Sequence, residues 1–459
     1  MAALYGLPGD MHHTYIDLHQ AYGDTVRIGP NCVSLAGLSA RAAIYGISRP
    51  IFPKSDFYLP SQASIAGKTY TNLFNTTGED FHTAIKRPVS RAYAMTTLLE
   101  YESFVDAVTK TLLRQLVIRY TNTRSYESKC HLDRWLKYYA YDVVGQITFG
   151  QSLGFLELGP DAEPVISQLR PPRLGIAVSQ MPNLYQMVLK PLRKWTRQTP
   201  PTSPVVEFTV ARMKDRAATG TKDSHDQRDM LSRFLKAQKD QPDLIDDVRV
   251  TSYATSNVNA SADTTAITLC AAFYYLLKNP ATMKELEEEI IGAAEAGKIS
   301  SPCVSWTEAQ KLPYLDAVIK EALRMHPAVG MMLERVTPPE GVTIYGRFYP
   351  GGTLLGISPW VIARDRVIYG DDADQWRPER WLTGDADRQS KMAGASLTFG
   401  GGTRTCIGKN ISLLELYKVI PAIIQMFDVS LVKPKDEWRT VNEFLVSQEG
   451  LEVDIKRRS

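Results

Sequence analysis

The sequence predicts a mainly α-helical protein with a minor amount of β-sheet. Long segments carry apolar residues at helical spacing, and one of them, residues 247–279, is long enough to cross a whole domain. Short β-like patterns, bounded by Gly and Pro, lie near both ends of the chain. With 459 residues, of which 44% are hydrophobic, the chain can bury a core that encloses a large cofactor.

The elements are predicted in order along the chain. Residues 14–50 form a helix, two short strands separated by Gly29-Pro30-Asn31, and a second helix. Further helices are predicted at residues 80–94 (a stretch that contains the basic segment KRPVSRAY), 98–119, 131–149, 247–279, 280–296, 306–326 and 408–427. Strands and turns follow up to Trp360, and a final strand pair ends the chain.

Composition excludes several classes of protein. The formal net charge of +3 is too small to predict a nucleic-acid partner. The five cysteines are odd in number and form no CxxC pair, which favours free thiols in a reducing compartment. No segment approaches the ~20 apolar residues of a membrane span, so the chain as given is predicted to be soluble. Residues 218–229 are the best linker candidate, but are too short to establish a domain boundary.

The strongest chemical signal is the segment FGGGTRTCIG at residues 399–408, which we call the cysteine loop. Cys406 precedes a predicted helix, whose unpaired N–H groups favour a thiolate. A phosphate-binding loop is the first alternative, but GxxxxGK(S/T) and a preceding parallel strand are both missing. The second alternative is a buried structural cysteine.

The cysteine loop matches every fixed position of FxxGxRxCxG, so the chain resembles the cytochrome P450 family. The resemblance implies haem b with Cys406 as the axial thiolate ligand, which favours cleavage of the O–O bond. Arg404 is expected to pair with a haem propionate. Phe399, Gly402 and Gly408 complete the motif, and both glycines are expected to lack side chains because the macrocycle approaches the backbone there.

A second motif is Glu321-Ala322-Leu323-Arg324, in which acid and base share one helix face. Most such pairs are ordinary surface contacts. Here RPERW follows at residues 377–381, and the two segments together resemble the ExxR motif of the family and its later arginine. The resemblance implies a buried network of Glu321, Arg324 and Arg380 that supports the cysteine loop.

A third motif, ASADTT at residues 260–265, places polar residues within an otherwise apolar helix. One interpretation is that the Thr264 hydroxyl donates to the carbonyl of Ala260. The other is a resemblance to the oxygen-activating sequence of the family, in a locally opened helix. It implies that Thr264 organises water at dioxygen and that Asp263 supplies protons. Ser261 stands where the family usually has Gly.

Weaker matches complete the predicted haem pocket. His82 and Lys86 resemble the WxxxR pattern of the helix that faces haem, with Lys in place of Arg. Arg335 lies where the family has another propionate-binding arginine, and Ala363 stands where relatives often carry His. By the same resemblance, substrate is expected to contact residues 57–73, 165–190, 328–332 and the turn near Phe444.

These residues span over 300 positions yet face one cofactor, so a single catalytic domain, residues 1–459, is expected. The amino-acid sequences of several segments are most similar to those of fungal cytochrome P450s of secondary metabolism, the pisatin-demethylase-like group. The implied reaction is oxidation of an apolar small molecule by O2, either by insertion of one oxygen or by hydrogen abstraction as in oxidative coupling. Electrons are expected from NADPH through a flavoprotein reductase docked over Lys86, Arg87, Arg91 and Lys409.

The resemblance also implies a monomer. If a native anchor precedes the chain, it implies the cytoplasmic face of the endoplasmic reticulum. The proline-rich region 164–198 is either a surface loop or a segment that touches the membrane beside a substrate entrance. Two rival functions remain. One is an isomerase, dehydratase or peroxide-driven enzyme that needs no reductase, and the other is a haem-binding protein without catalytic activity.

Overall fold

The computed structural model describes residues 9–47, 50–65, 68–121, 129–169, 187–188, 191–192, 204–219 and 229–458. Helices make up most of it. Those described are Met11–Tyr22, Leu38–Tyr45, Glu79–Lys86, Met95–Leu98, Glu102–Leu116, Leu132–Phe149, Phe155–Leu158, Glu163–Leu169, Pro204–Thr219, Met230–Asp240, Asp247–Lys278, Pro280–Glu295, Trp306–Ala309, Pro313–Met325, Pro359–Ile362, Arg366–Tyr369, Ala386–Ala395 and Lys409–Met426.

Small β-sheets lie beside the helices. A four-stranded sheet has the order Thr25–Gly29, Cys32–Leu35, Leu354–Gly356, Arg335–Val336, and a three-stranded sheet has the order Phe427–Leu431, Glu452–Arg457, Cys130–His131. Two-stranded pairs are Ala63–Ile65 with Lys68–Tyr70, Val342–Ile344 with Arg347–Tyr349, and Arg439–Glu443 with Leu445–Glu449. The parallel pairing of Cys32 with Leu354 joins two segments that are far apart in the sequence. The predicted class, mainly helical with minor sheet, is confirmed.

The helix Asp247–Lys278, called the central helix, organises the fold. It begins at Asp246, whose side chain accepts a hydrogen bond from the N–H of Arg249 and so caps the first turn. It packs along helix Leu132–Phe149 and also contacts the C-terminal helix, Lys409–Met426. Because the latter helix follows the cysteine loop, this packing brings Cys406 close to the middle of the central helix.

Several predicted boundaries were wrong, mostly for reasons of proline chemistry. The basic segment KRPVSRAY is not one helix, since the helix ends at Lys86 and Pro88 follows. The predicted helix 306–326 is two helices, because Pro313 starts a new helix after an extended Leu312. The predicted final strand pair is four strands. Most of regions 164–198 and 218–229 lies outside the described residues.

None of the helices in these described ranges has the length and apolar character needed to cross a membrane.

Candidate active site

The cysteine loop is folded by its own backbone. The N–H of Cys406 donates to the carbonyl oxygen of Phe399 at 2.8 Å, and the N–H of Thr405 donates to that of Gly402 at 3.2 Å. Gly400 and Gly402 have φ of 72° and 62°, a left-handed conformation that L side chains rarely adopt. The loop therefore returns on itself and places Cys406 just before the C-terminal helix.

The two glycines predicted to make room for a macrocycle have different roles in the structure. A Cβ on Gly402 would lie 2.6 Å from the carbonyl oxygen of Tyr45, so glycine is needed there because the loop abuts another backbone segment. A Cβ on Gly408 would lie 3.6 Å from Oγ of Ser261 and 3.9 Å from Sγ of Cys406. Gly408 therefore marks the point where the cysteine loop faces the central helix.

Opposing influences act on the Cys406 thiol. Burial raises its pKa, while hydrogen bonds from the N–H groups of Gly408 and Lys409 and the charges of Lys86 and Lys409 lower it, with a net rise. The side chain nevertheless keeps accessible surface. A group surrounded by protein and still accessible lines an internal recess. The donors at the helix start are the groups that stabilise a thiolate.

Four cationic side chains and the ring of His82 gather beside this recess, and we call the group the cation cluster. Its cations are Lys54, Lys86, Arg335 and Arg404. Arg404 binds Glu79, with Nε 2.8 Å and Nη2 2.8 Å from Oε1. Its third nitrogen, Nη1, is buried and has no hydrogen-bond partner among the described residues. The residues Glu79 and Lys54 were not predicted from the sequence. Glu79 lies three residues before His82, and that helical spacing was the available signal.

The other cations of the cluster bind backbone or aromatic groups. Nζ of Lys86 donates to the carbonyl oxygen of Thr403 at 3.0 Å. Nζ of Lys54 donates to that of Phe74 at 2.6 Å and lies 4.0 Å from the centre of the Tyr58 ring. Arg335 donates to the carbonyl oxygen of Glu334 at 2.8 Å. Burial and the surrounding cations lower the pKa of His82 to about 3, so its ring is neutral near pH 7.

The residues present fit a haem group. In the described part of the chain, Glu79 is the only carboxylate that forms a salt bridge with a member of the cation cluster. The remaining positive charge and the unpartnered Nη1 of Arg404 favour the binding of an anionic ligand. The two propionates of haem would be such anions. Cys406, accessible in the same recess, would ligate the haem iron.

The structure brings Glu321, Arg324 and Arg380 together as a buried network. The Glu321 carboxylate accepts from Nε of Arg324 at 2.9 Å, from Nε of Arg380 at 3.0 Å and from the N–H of Arg377 at 2.9 Å. Burial alone would raise the pKa of Glu321, but the bonds and charges of the two arginines hold it below its usual value. Nη1 of Arg324 also donates to the carbonyl oxygen of Ala363 at 2.7 Å, so this contact does not involve the side chain of residue 363.

The central helix is continuous through Asp263 and Thr264, so the predicted local opening is wrong for this structure. Oγ1 of Thr264 donates to the carbonyl oxygen of Ala260 at 2.8 Å, a bond that satisfies the hydroxyl without opening the helix. The Asp263 carboxylate contacts helix Leu132–Phe149: its Oδ1 lies 3.2 Å from Nζ of Lys137 and accepts a hydrogen bond from the hydroxyl of Tyr141 at 3.3 Å.

Two further predicted regions are partly described. Arg87, Arg91 and Lys409 are exposed, whereas Lys86 is half-buried against the cysteine loop. Phe444 has φ of 77°, unusual for a bulky residue, and its ring lies 6.1 Å from that of Phe57. Most of the predicted substrate segment 165–190 lies outside the described residues.

Comparison with known proteins agrees with this site. The model of the cytochrome P450 family matches residues 2–455. A cytochrome P450 monooxygenase of Aspergillus terreus is 42% identical over 91% of this chain and 85% of its own length. Another, from Aspergillus flavus, is 40% identical over 98% of this chain and 88% of its own. The cytochrome P450 monooxygenase cicH of Emericella nidulans is 39% identical over 98% of this chain and 90% of its own.

Proposed function

This chain belongs to the cytochrome P450 family, and we propose that it uses electrons from NADPH, delivered by a flavoprotein reductase, to oxidise a mainly apolar small molecule of fungal secondary metabolism. It is a haem-thiolate monooxygenase. The observation that carries the proposed chemistry is Cys406, accessible in a recess where the N–H groups of Gly408 and Lys409 and the charges of Lys86 and Lys409 favour its thiolate.

The chain's own residues would bind and orient the cofactor. Cys406 would ligate the iron, and Arg404, fixed by Glu79, would bind a propionate through its unpartnered Nη1. His82, Lys86 and Arg335 would hold the same edge. When bound, haem supplies the reductive activation of dioxygen, which a thiolate ligand favours.

Proton handling would fall to the central helix. The Thr264 hydroxyl donates to the Ala260 carbonyl, so its oxygen remains able to accept a hydrogen bond from water. The Asp263 carboxylate is bound by Lys137 and Tyr141 and would exchange protons with these two side chains. Ser261 adds a hydroxyl close to the cysteine loop. Together these groups would deliver a proton towards the recess.

We infer one catalytic domain over residues 1–459, acting as a monomer. The reductase would dock on the exposed cations Arg87, Arg91 and Lys409, beside Lys86. Where an anchor is present, this chain would lie at the cytoplasmic face of the endoplasmic reticulum, and region 164–198 would touch the membrane. A reductase-free isomerase, dehydratase or peroxide-driven enzyme is the second candidate. It is favoured only because Asp263 already pairs with Lys137 and the Thr264 hydroxyl already donates to the Ala260 carbonyl.

The test compares two cysteine variants. The wild type and Cys303→Ser, a control at another free cysteine, should give the red-shifted Soret band of a thiolate ligand when reduced and exposed to CO. Cys406→Ser should lose it. With reductase and NADPH, the wild type should also consume O2. A thiolate spectrum in Cys406→Ser would contradict the ligand assignment, and O2 oxidation that proceeds with peroxide but never with reductase would favour the second candidate.

A further inference from the structure

Another recess, which we call the lateral recess, opens on the surface between the helix Glu102–Leu116 and the last strand, Glu452–Arg457. Its volume is about 270 Å³, and nearly all of its wall is apolar. Met426, at the end of the C-terminal helix, forms part of that wall. Because this helix starts at Lys409, Met426 lies roughly 25 Å along it from the cysteine loop. The lateral recess is therefore separate from the recess of Cys406.

One side of a helix supplies most of this wall. The lining residues at positions 110, 113, 114, 117 and 118 follow the helical spacing that places side chains on a single face. Along that face the apolar stripe leaves the core, since Leu113 is buried and Ile118 is 53% exposed. A single exposed isoleucine is ordinary, but this one continues a buried stripe and lines a concave surface. Such a surface can cover an apolar chain.

Three exposed cations, Lys110, Arg114 and Arg457, also line the lateral recess. The first two share one helix face, and Arg457 lies in phase with the buried Ile455 of its strand, so its side chain emerges on the core side. Arg114 pairs with the exposed Glu157 at 3.6 Å. Within the described ranges, the other two cations form no salt bridge, and no carboxylate lines the recess. An apolar wall with uncompensated positive charge is complementary to an anionic amphiphile.

We propose that the lateral recess binds the anion of a free long-chain fatty acid. The alkyl chain lies along the apolar wall, which removes its CH2 groups from water, and the carboxylate pairs with Lys110 and Arg457. The recess is smaller than the roughly 300–1,000 Å³ of sites for drug-sized ligands, so it suits one chain rather than a two-chain lipid. Binding here does not depend on the haem chemistry, because the two recesses are separate.

The experiment labels the haem-loaded protein with dodecanoate that carries a photoreactive diazirine in its chain, below the micelle concentration. Peptide mass spectrometry then distinguishes labels in the lateral recess from labels in the recess of Cys406. The competitors are dodecanoate, uncharged dodecanol and vesicles of phosphatidylserine, which present an anionic membrane surface. The variants are Ile118→Asp and Lys110→Glu/Arg457→Glu, and the control with the same charge change is Lys236→Glu/Lys239→Glu, at two other exposed cations. The melting temperature and CO spectrum of each variant verify its fold.

The wild type and the control should be labelled within residues 110–118, and dodecanoate should compete about tenfold more strongly than dodecanol, since only the acid pairs with the cations. Labelling should require about tenfold more probe in Lys110→Glu/Arg457→Glu, and also in Ile118→Asp, where a carboxylate replaces part of the apolar wall. The inference would be overturned by labels only outside the lateral recess, by equal competition from dodecanol, or by unchanged labelling of both variants. Competition by vesicles but not by dodecanoate would also overturn it, because a membrane surface would then be the ligand.

Discussion

The Glu321 network and the cation cluster both gather basic side chains around carboxylates, Glu321 and Asp372 in the first and Glu79 in the second, but their hydrogen bonds are completed to different degrees. Glu321 receives donors from Arg324, Arg380, the backbone of Arg377 and the indole of Trp381. Among the described residues, Arg404 is the only member of the cation cluster with a salt bridge, and its partner is Glu79. Nη1 of Arg404 has no hydrogen-bond partner within the same ranges. The first region is complete without a ligand, whereas the second requires an anion.

This difference indicates how each region contributes to stability. In a closed buried network each charge is neutralised, so loss of one member destabilises the protein because the others are left buried and unpaired. A group of like charges without enough carboxylates destabilises the free protein and gains stability when an anionic ligand binds. Substitutions in the two regions should therefore affect the free and haem-loaded protein differently.

The largest effect is expected from Arg324→Ala or Glu321→Ala. Each leaves buried charge without its partner, at a cost of about 3–5 kcal/mol in the free energy of unfolding. Both variants should be largely unable to hold haem. Lys320→Ala, which breaks an exposed pair on the same helix, is the control and should behave like the wild type. Haem occupancy and melting temperature are the measurements, and wild-type values in Arg324→Ala would show that the network is dispensable.

A smaller effect of mixed sign is expected from Lys54→Met. The cation is nearly fully buried, and burial and the charges of Arg335 and Arg404 hold its pKa well below the usual value. Its removal should leave the haem-free protein equally or more stable, since one repulsive charge is gone. The same change should weaken haem binding by about tenfold, because one basic group of the cluster that would attract the propionates is lost.

The matched variant is Glu79→Gln, which removes the carboxylate of Arg404 and should instead destabilise the haem-free protein. Haem transfer to apomyoglobin measures affinity, and thermal unfolding of the haem-free form measures stability. If Lys54→Met lowered both quantities together, the cluster would be an ordinary structural network like that of Glu321.

The smallest structural effect is expected within one turn of the central helix, where Thr264 has a completed hydrogen bond and Ser261 faces the cysteine loop. Thr264→Ala should keep the CO spectrum and the melting temperature but release more hydrogen peroxide per product. In the double variant Ser261→Ala/Thr264→Ala, product per NADPH should fall further, by about tenfold, because both hydroxyls are lost. Coupling equal to the wild type in both variants would remove the proton-handling role.

Local chemistry explains which parts of the fold were predictable. The first helix and strand pair, the helix Leu132–Phe149 and the central helix follow from short-range periodicity, with Asp246 as a recognisable cap. Pro313 could have predicted the break between the two helices, but the apolar pattern continues across it and favoured one helix. The extra C-terminal strands depend on pairing between Phe427–Leu431 and Glu452–Arg457, which no local pattern specifies.

The sequence by itself determined the family, the mainly helical class and the position of Cys406, because a fixed spacing of Gly, Arg and Cys encodes one loop conformation. Only the tertiary structure decided that Glu79 binds Arg404, that Lys54 joins the cation cluster and that Gly402 lies against the backbone of Tyr45. It also decided that Thr264 lies in an unbroken helix. Each of these contacts joins distant segments or depends on which helix face is covered, and packing, rather than local spacing, sets both.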